Sequence, residues 1–208
     1  MIPKILEDIK NYLINNKLNL SSGSRDGRIN SAVNENAILS HIKSKYSDII
    51  KTPKMRDWYD FSIEKDGEFY PINIKITDTT HADNLNCKLG IYYALSGNLP
   101  PFDNEVSWID YFDKLHQAIK ENDKDYYFLV INKEDTTDIF VNGLKTLNQL
   151  QPNGNNLPFQ CKWNINRKPI ERNFDEAKKF LLSNFGLSIK QRAEIYFIYK
   201  RFFGEYLE

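Results

Sequence analysis

Three polar side chains, Asp60, Asn73 and Lys75, lie on two segments that the sequence predicts to pair as a β-hairpin. The segments 57–63 and 69–76 are rich in aromatic and β-branched residues, and the Asp-Gly pair between them suits a two-residue type I′ turn. Counted from that turn, Asp60 faces Asn73 directly across the two strands. An acid, an amide and an amine would then share one face of the hairpin.

The other face of this predicted hairpin is wholly apolar. Side chains alternate between the two faces of a strand, so one face packs on a core while the other is left for polar groups. On the polar face we expect Trp58 opposite Lys75. The residues expected on the apolar face are Tyr59, Phe61, Ile63, Tyr70, Ile72 and Ile74.

The three polar groups suit the hydrolysis of a phosphodiester. A carboxylate and an amide oxygen on adjacent strands are close enough to share one small cation such as Mg²⁺, which prefers oxygen ligands. The cation would activate a water and offset charge on the phosphate. Lys75, one residue beyond Asn73 on the same face, would orient the water and stabilise the phosphate oxygens.

The motif Tyr-Asp-Phe at 59–61, followed by Ile-Asn-Ile-Lys at 72–75, resembles the PD-(D/E)XK signature of type II restriction endonucleases. The run 77–95 is also similar to segments of such enzymes. The resemblance implies an α/β fold with a restriction-endonuclease-like mixed β-sheet flanked by helices. It also implies a homodimer that uses Mg²⁺ to hydrolyse double-stranded DNA at a short palindromic sequence, with no organic cofactor, and leaves 5′-phosphate and 3′-hydroxyl ends.

The sequence departs from that signature at two positions. Tyr59 replaces the usual proline, and Asn73 replaces the second acid. An amide oxygen can ligate a divalent cation but carries no negative charge. Either the metal then binds more weakly, or another carboxylate supplies the missing charge. If the hairpin pairing slipped, Asp57 would compete with Asp60 as the metal-binding acid.

Glu35 is the candidate for the missing carboxylate. Members of the family often place a glutamate near the metal, on a helix that precedes the hairpin. Here Glu35, Ile38 and Ile42 share one face of a predicted helix, so the acid points towards apolar surroundings. A buried structural ion pair is the alternative role.

Ten further side chains are candidate DNA contacts, because their amide and basic groups can bind base edges or phosphates. They come from a Gly- and Ser-rich segment, from the polar stretch after the second strand, and from an Asn-rich segment at 150–173. Ordinary surface loops are the alternative for all three segments. The candidates are Arg25, Arg28, His81, Asn84, Asn86, Lys88, Lys162, Asn164, Arg167 and Lys168.

The remaining elements must hold these groups in place. The chain has 208 residues, of which 41% are hydrophobic, and we predict a single domain over 1–208. Its 28 basic and 28 acidic residues give no net charge, so charge alone does not indicate nucleic-acid binding. Hydrophobic periodicity predicts helices at 3–17, 31–46, 103–120, 174–184 and 188–206, and further strands at 126–132 and 137–141.

The two cysteines, Cys87 and Cys161, form no CxxC pattern, which argues against both a disulfide framework and a zinc site. No apolar run is long enough to span a membrane, and the N-terminus does not resemble a signal peptide, so we expect a cytoplasmic location.

Two other functions fit the same residues. One is a DNA repair or recombination nuclease that cuts junctions or mismatches. The other is a DNA-binding module whose catalysis is impaired by Asn73. The residues do not reveal a recognition sequence or a cleavage stagger.

Overall fold

A computed structural model describes residues 2–16, 27–54, 57–102 and 106–207, with the backbone alone for 27–32. The helices are α1 (Lys4–Asn15), α2 (Gly27–Tyr46), α3 (Lys88–Ser96), α4 (Trp108–Ala118) and α5 (Phe174–Phe203). The strands are β1 (Ile50–Lys51), β2 (Phe61–Lys65), β3 (Glu68–Thr77), β4 (Ala82–Leu85), β5 (Tyr127–Asn132), β6 (Ile139–Gly143), β7 (Gln151–Pro152) and β8 (Phe159–Lys162).

The central sheet has five strands in the order β1-β2-β3-β5-β6. Only β3 and β5 run parallel; the other neighbours are antiparallel. The parallel pair is reached through a crossover that contains α3 and α4, as parallel strands require. A second sheet has three antiparallel strands in the order β4-β8-β7. The predicted α/β architecture, a mixed β-sheet with flanking helices, is confirmed.

The hairpin β2–β3 forms with the expected turn and register. Asp66 and Gly67 have φ angles of 54° and 80°, the left-handed conformations that a type I′ turn needs at both central residues. The pairing runs from Lys65 opposite Glu68 to Phe61 opposite Ile72. The hairpin has not slipped.

Alternation along the central strands produces two separate cores, one on each face of the sheet. Phe61, Ile72 and Leu129 point to the face covered by α1 and α2. Phe128 and Val130 point to the opposite face, which packs against α3, α4, α5 and the second sheet. The site described below lies on this second face.

Several elements differ from the sequence-based expectation. Helix α3 and strands β1, β4, β7 and β8 are not among the predicted elements. Strands β4, β7 and β8 occupy polar or Asn-rich segments whose composition predicts loops. Nearly all of α3 is buried, so it lacks the one-sided apolar pattern by which a surface helix is recognised. The short strands pair with each other across long sequence separations, which local patterns do not reveal.

The predicted break between the helices at 174–184 and 188–206 is wrong, because α5 continues through Gly186. An Asn173–Glu176 capping box starts this helix. Phe185 and Ser188 on either side of Gly186 are buried, and the Ser188 hydroxyl donates to the carbonyl of Asn184 at 3.1 Å. Packing outweighs the cost of about 1 kcal/mol that an interior glycine carries relative to alanine.

Across the described ranges, no helix combines the length and the apolar character needed to cross a membrane.

Candidate active site

Asp60 lies just before β2 and is fixed to β3 on both sides of Asn73. Its backbone N–H donates to the Ile72 carbonyl at 2.9 Å, and its carboxylate Oδ2 accepts the Ile74 N–H at 2.6 Å. The carboxylate therefore reaches the middle of β3, although the strand ladder itself begins at Phe61.

The expected positions of Tyr59 and Trp58 are wrong, because the chain bends over residues 58–60 before the ladder begins. Tyr59 packs against the core on the second face of the sheet, away from Phe61. Trp58 leaves the register that would set it opposite Lys75; its ring stacks on Tyr126, with the centroids 5.7 Å apart, and its carbonyl accepts the Tyr126 hydroxyl at 2.8 Å.

Asn73 and Lys75 project from the same face of β3, as expected. Their partners on β5 are Phe128 and Val130, both of which belong to the core on the second face. Both polar side chains are half-buried. The Asn73 side chain opposes the rise in the pKa of the buried Tyr126 hydroxyl, which burial causes.

Electrostatics links Asp60 to Glu35 and Lys75. Burial raises the pKa of Asp60 to about 6, and the hydrogen bond from Ile74 opposes this shift. The negative charge of Glu35 raises the pKa further, whereas the positive charge of Lys75 lowers it. Glu35 on α2 and Lys75 on β3 are therefore both close enough for their charges to act on the Asp60 carboxylate.

Two groups on β4 hold the Lys75 ammonium. Its Nζ donates to the Asn84 carbonyl at 3.1 Å and lies 3.6 Å from Asp83 Oδ1. The other Asp83 oxygen accepts the indole N–H of the fully buried Trp163 at 2.9 Å. Sequence reasoning missed Asp83 and Trp163, because their approach depends on the pairing of β4 with β8, far along the chain.

Three candidate DNA contacts lie together at one end of the second sheet. Lys162 is paired with Ala82, next to His81, and the Asn164 backbone N–H donates to the Thr79 carbonyl at 2.9 Å. The side chains of His81, Lys162 and Asn164 are exposed. His81 Nδ1 lies 2.8 Å from a carboxylate oxygen of Asp78.

Other candidates are engaged within the protein. The Asn84 side-chain oxygen accepts from Asn153 at 2.9 Å. Both terminal nitrogens of Arg167 donate to the Asp138 carboxylate, at 2.5 and 2.6 Å, so this guanidinium has a structural partner.

The remaining candidates have no common location. The ammonium group of Lys88 lies over the Trp108 ring at 5.1 Å. Asn86 and Lys168 are exposed. Arg25 lies outside the described residues, as does the side chain of Arg28.

The donor set suits a hard cation rather than a soft one. Asp60, Glu35 and Asn73 offer two carboxylates and an amide, which is oxygen chemistry of the kind that Mg²⁺ selects. The described part of the chain has no group of three or more His, Cys, Asp or Glu residues that could hold a metal ion. Asn73 is not one of those four residue types, so the set of Asp60, Glu35 and Asn73 contains only two of them.

The chain matches no known protein-family model, and no curated protein is significantly similar to it in sequence.

Proposed function

We propose that this protein is a Mg²⁺-dependent endonuclease of the type II restriction kind, acting on double-stranded DNA. One observation carries the proposal: Asn73 and Lys75 project from one face of β3, and the carboxylate of Asp60, just before β2, accepts the N–H of Ile74 between them. The mixed sheet with flanking helices is also the architecture that the motif resemblance implies.

Asp60 and Asn73 would hold the metal, with Glu35 supplying the second negative charge. The negative charge of Glu35 helps to raise the pKa of Asp60, and a divalent cation would offset that repulsion. When bound, Mg²⁺ supplies positive charge beside the scissile phosphate.

Lys75 would bind a non-bridging phosphate oxygen and orient the attacking water. Its ammonium group is held at a fixed position by the Asn84 carbonyl and the Asp83 carboxylate. A preorganised cation stabilises developing charge without having to move during the reaction. Asp83 would act as a positioning residue, and Trp163 would fix its orientation.

The second sheet would supply DNA contacts next to the cleavage chemistry. Strand β4 carries the carbonyl that holds Lys75, and its other end lies beside His81, Lys162 and Asn164. A phosphate bound there would be held at a fixed position relative to Lys75, because β4 contacts both places. Arg167 is left out of this surface because Asp138 already occupies its guanidinium.

Digestion of a sequenced plasmid with Mg²⁺ tests the proposal. Lys75→Ala should abolish cleavage while duplex binding, followed by fluorescence anisotropy without metal, survives. Lys65→Ala is the matched control, because Lys65 is an exposed lysine of the same hairpin.

The digestion also separates the alternatives. Discrete bands support a restriction enzyme, whereas nicking that depends on junctions or mismatches indicates a repair or recombination nuclease. DNA binding without any cleavage indicates a binding module. Cleavage by Lys75→Ala at the wild-type rate would remove Lys75 from the reaction.

A further inference from the structure

Two amide side chains lie next to each other on the outer face of the second sheet. Asn84 of β4 is paired with Gln160 of β8, and paired residues of neighbouring strands point to the same face. Both are half-buried, and Lys162, two residues along on that face, is exposed. Phe159 and Cys161, which point to the opposite face, are fully buried in the core. We call Asn84 and Gln160 the amide pair.

Asn153 determines which way the amide pair is turned. Its Oδ1 accepts the backbone N–H groups of Asn155 at 3.0 Å and Asn156 at 3.2 Å. Because backbone N–H groups can only donate, the other end of this side chain is its –NH2 group. That nitrogen donates to Asn84 Oδ1 and to Gln160 Oε1, each at 2.9 Å. Both members of the amide pair therefore turn their oxygens towards Asn153.

The loop that carries Asn153 is fixed to α5. The Asn153 N–H donates to the Ser188 hydroxyl at 2.9 Å. The Gly154 N–H donates to the Gln191 side chain at 3.1 Å, and Arg192 Nε donates to the Gly154 carbonyl at 2.7 Å. The amide pair is thus held in one orientation before any ligand binds, which lowers the entropic cost of binding.

The –NH2 groups of the amide pair are left for a ligand. Within the described ranges, neither Asn84 Nδ2 nor Gln160 Nε2 donates a hydrogen bond to another residue. Two neighbouring amide donors of this kind fit a partner that offers two acceptors side by side.

The amide pair lies beside Lys75. The Asn84 backbone carbonyl accepts Lys75 Nζ at 3.1 Å, while the side chain of the same residue belongs to the amide pair. The antiparallel strands β4 and β8 form a ribbon, an element that the major groove of DNA admits. In the nuclease proposed above, Lys75 binds the phosphate that is cut. A base that meets the amide pair therefore belongs to a base pair close to the cut.

We propose that the amide pair reads the base pair beside the cut and selects guanine. In the major groove, guanine presents two acceptors, N7 and O6, one for each –NH2 group. Adenine presents one acceptor and the N6 amine, so one donor would face another donor. This inference rests on the proposed nuclease function and adds the base that the enzyme prefers. Asn153 is a positioning residue, because it orients the amide pair without contacting DNA.

Selection from a pool of randomised duplexes, without metal, identifies the sequence that wild-type protein binds. The selected duplexes should share a fixed G·C pair. Fluorescence anisotropy should then show that exchanging this pair for A·T weakens wild-type binding about tenfold, a typical loss for one base contact.

Asn153→Asp tests the orientation of the amide pair. The new carboxylate still accepts the N–H groups of Asn155 and Asn156, but it offers Asn84 and Gln160 an oxygen in place of the –NH2 group. The amide pair must then turn its –NH2 groups inwards and its oxygens outwards, towards the exocyclic amines of adenine or cytosine. The guanine preference should therefore be replaced by a preference for adenine or cytosine at the same position.

Two further variants separate the loss of a donor from the addition of a charge. Gln160→Glu keeps the oxygen that accepts from Asn153 and replaces only the –NH2 group, so it should also lose the guanine preference. Asn155→Asp is the matched control, because it adds the same charge to the same loop on an exposed side chain. This control should keep the guanine preference.

The outcomes distinguish base reading from the nuclease proposal. A guanine preference that persists in Asn153→Asp, or a selected site without a fixed G·C pair, would overturn base reading and leave the nuclease proposal standing. An equal loss of affinity for every sequence in Asn153→Asp and Asn155→Asp would indicate a phosphate contact, which also overturns base reading. If wild-type protein bound no duplex at all, both proposals would be contradicted.

Discussion

Removing the charge of Asp60 should stabilise the folded protein at neutral and alkaline pH. The Asp60 carboxyl has its pKa raised to about 6, chiefly by burial, whereas an unperturbed aspartate titrates near 3.8. The folded state therefore holds this proton more tightly than the unfolded state does. The associated stability is fully present below about pH 4 and is lost as the pH rises through about 6.

The shift sets the size of the effect. Each pKa unit corresponds to about 1.4 kcal/mol, so ionised Asp60 lowers the free energy of unfolding by at most about 3 kcal/mol. Asp60→Asn does not ionise and keeps an oxygen that can accept the Ile74 N–H. The variant should gain stability relative to wild type as the pH rises, although it should lack nuclease activity.

Urea unfolding in EDTA, from about pH 4.5 to about pH 8, measures this difference. Asp125 is also buried, and its pKa is likewise raised to about 6, so wild type alone would report both groups. Because Asp125 is present in both proteins, its contribution cancels when the two curves are subtracted. A difference that stays flat across this range would refute the burial of the Asp60 carboxyl.

Three further substitutions test separate parts of the account. Asn73→Asp should tighten Mg²⁺ binding about tenfold by calorimetry, because it adds a charge beside Asp60; an unchanged affinity would exclude Asn73 from the metal site. Arg167→Ala should lower the free energy of unfolding by about 1 kcal/mol through loss of the Asp138 pair, and plasmid cleavage should be unaffected; a cleavage defect in the folded variant would restore its DNA-contact role. Gly186→Ala should raise the free energy of unfolding by about 0.5–1 kcal/mol, since an added Cβ meets no atom within 4 Å; destabilisation would argue for a helix break there.

The centre of the site could be predicted from the sequence because hairpin geometry is local. An Asp-Gly turn fixes the register, and the register fixes which residues share a face. Asn73 and Lys75 follow from that rule alone. Asp60 follows less directly: the chain bends before the ladder begins, and its carboxylate meets the Ile74 N–H instead of standing squarely across from Asn73.

The support around Lys75 could not be predicted because it depends on long-range pairing. Asp83 reaches the ammonium group only after β4 has paired with β8, and Trp163 then fixes Asp83 from a position 80 residues away. The polar composition of 78–88 predicts a loop, because the sequence does not show which strand pairs with this segment. The prediction that Arg167 contacts DNA also depends on long-range structure, because composition does not show that its guanidinium pairs with Asp138.

The continuity of α5 shows that the ends of a helix cannot be predicted from helix propensity alone. Glycine lowers helix propensity, but tertiary contacts at Phe185 and Ser188 decide whether the helix continues. The reverse applies to α3, where burial on nearly all sides removes the periodic pattern that would have revealed it.

Plasmid cleavage by two aspartate variants tests the central claim most directly. Asp60 and Asp57 lie three residues apart, but only Asp60 reaches β3 with its carboxylate; Asp57 is exposed. With Mg²⁺ present, Asp60→Asn should leave the plasmid intact, while Asp57→Asn should cut it at the wild-type positions. Wild-type cutting by Asp60→Asn would contradict the assignment of this face of the sheet as a phosphodiesterase site.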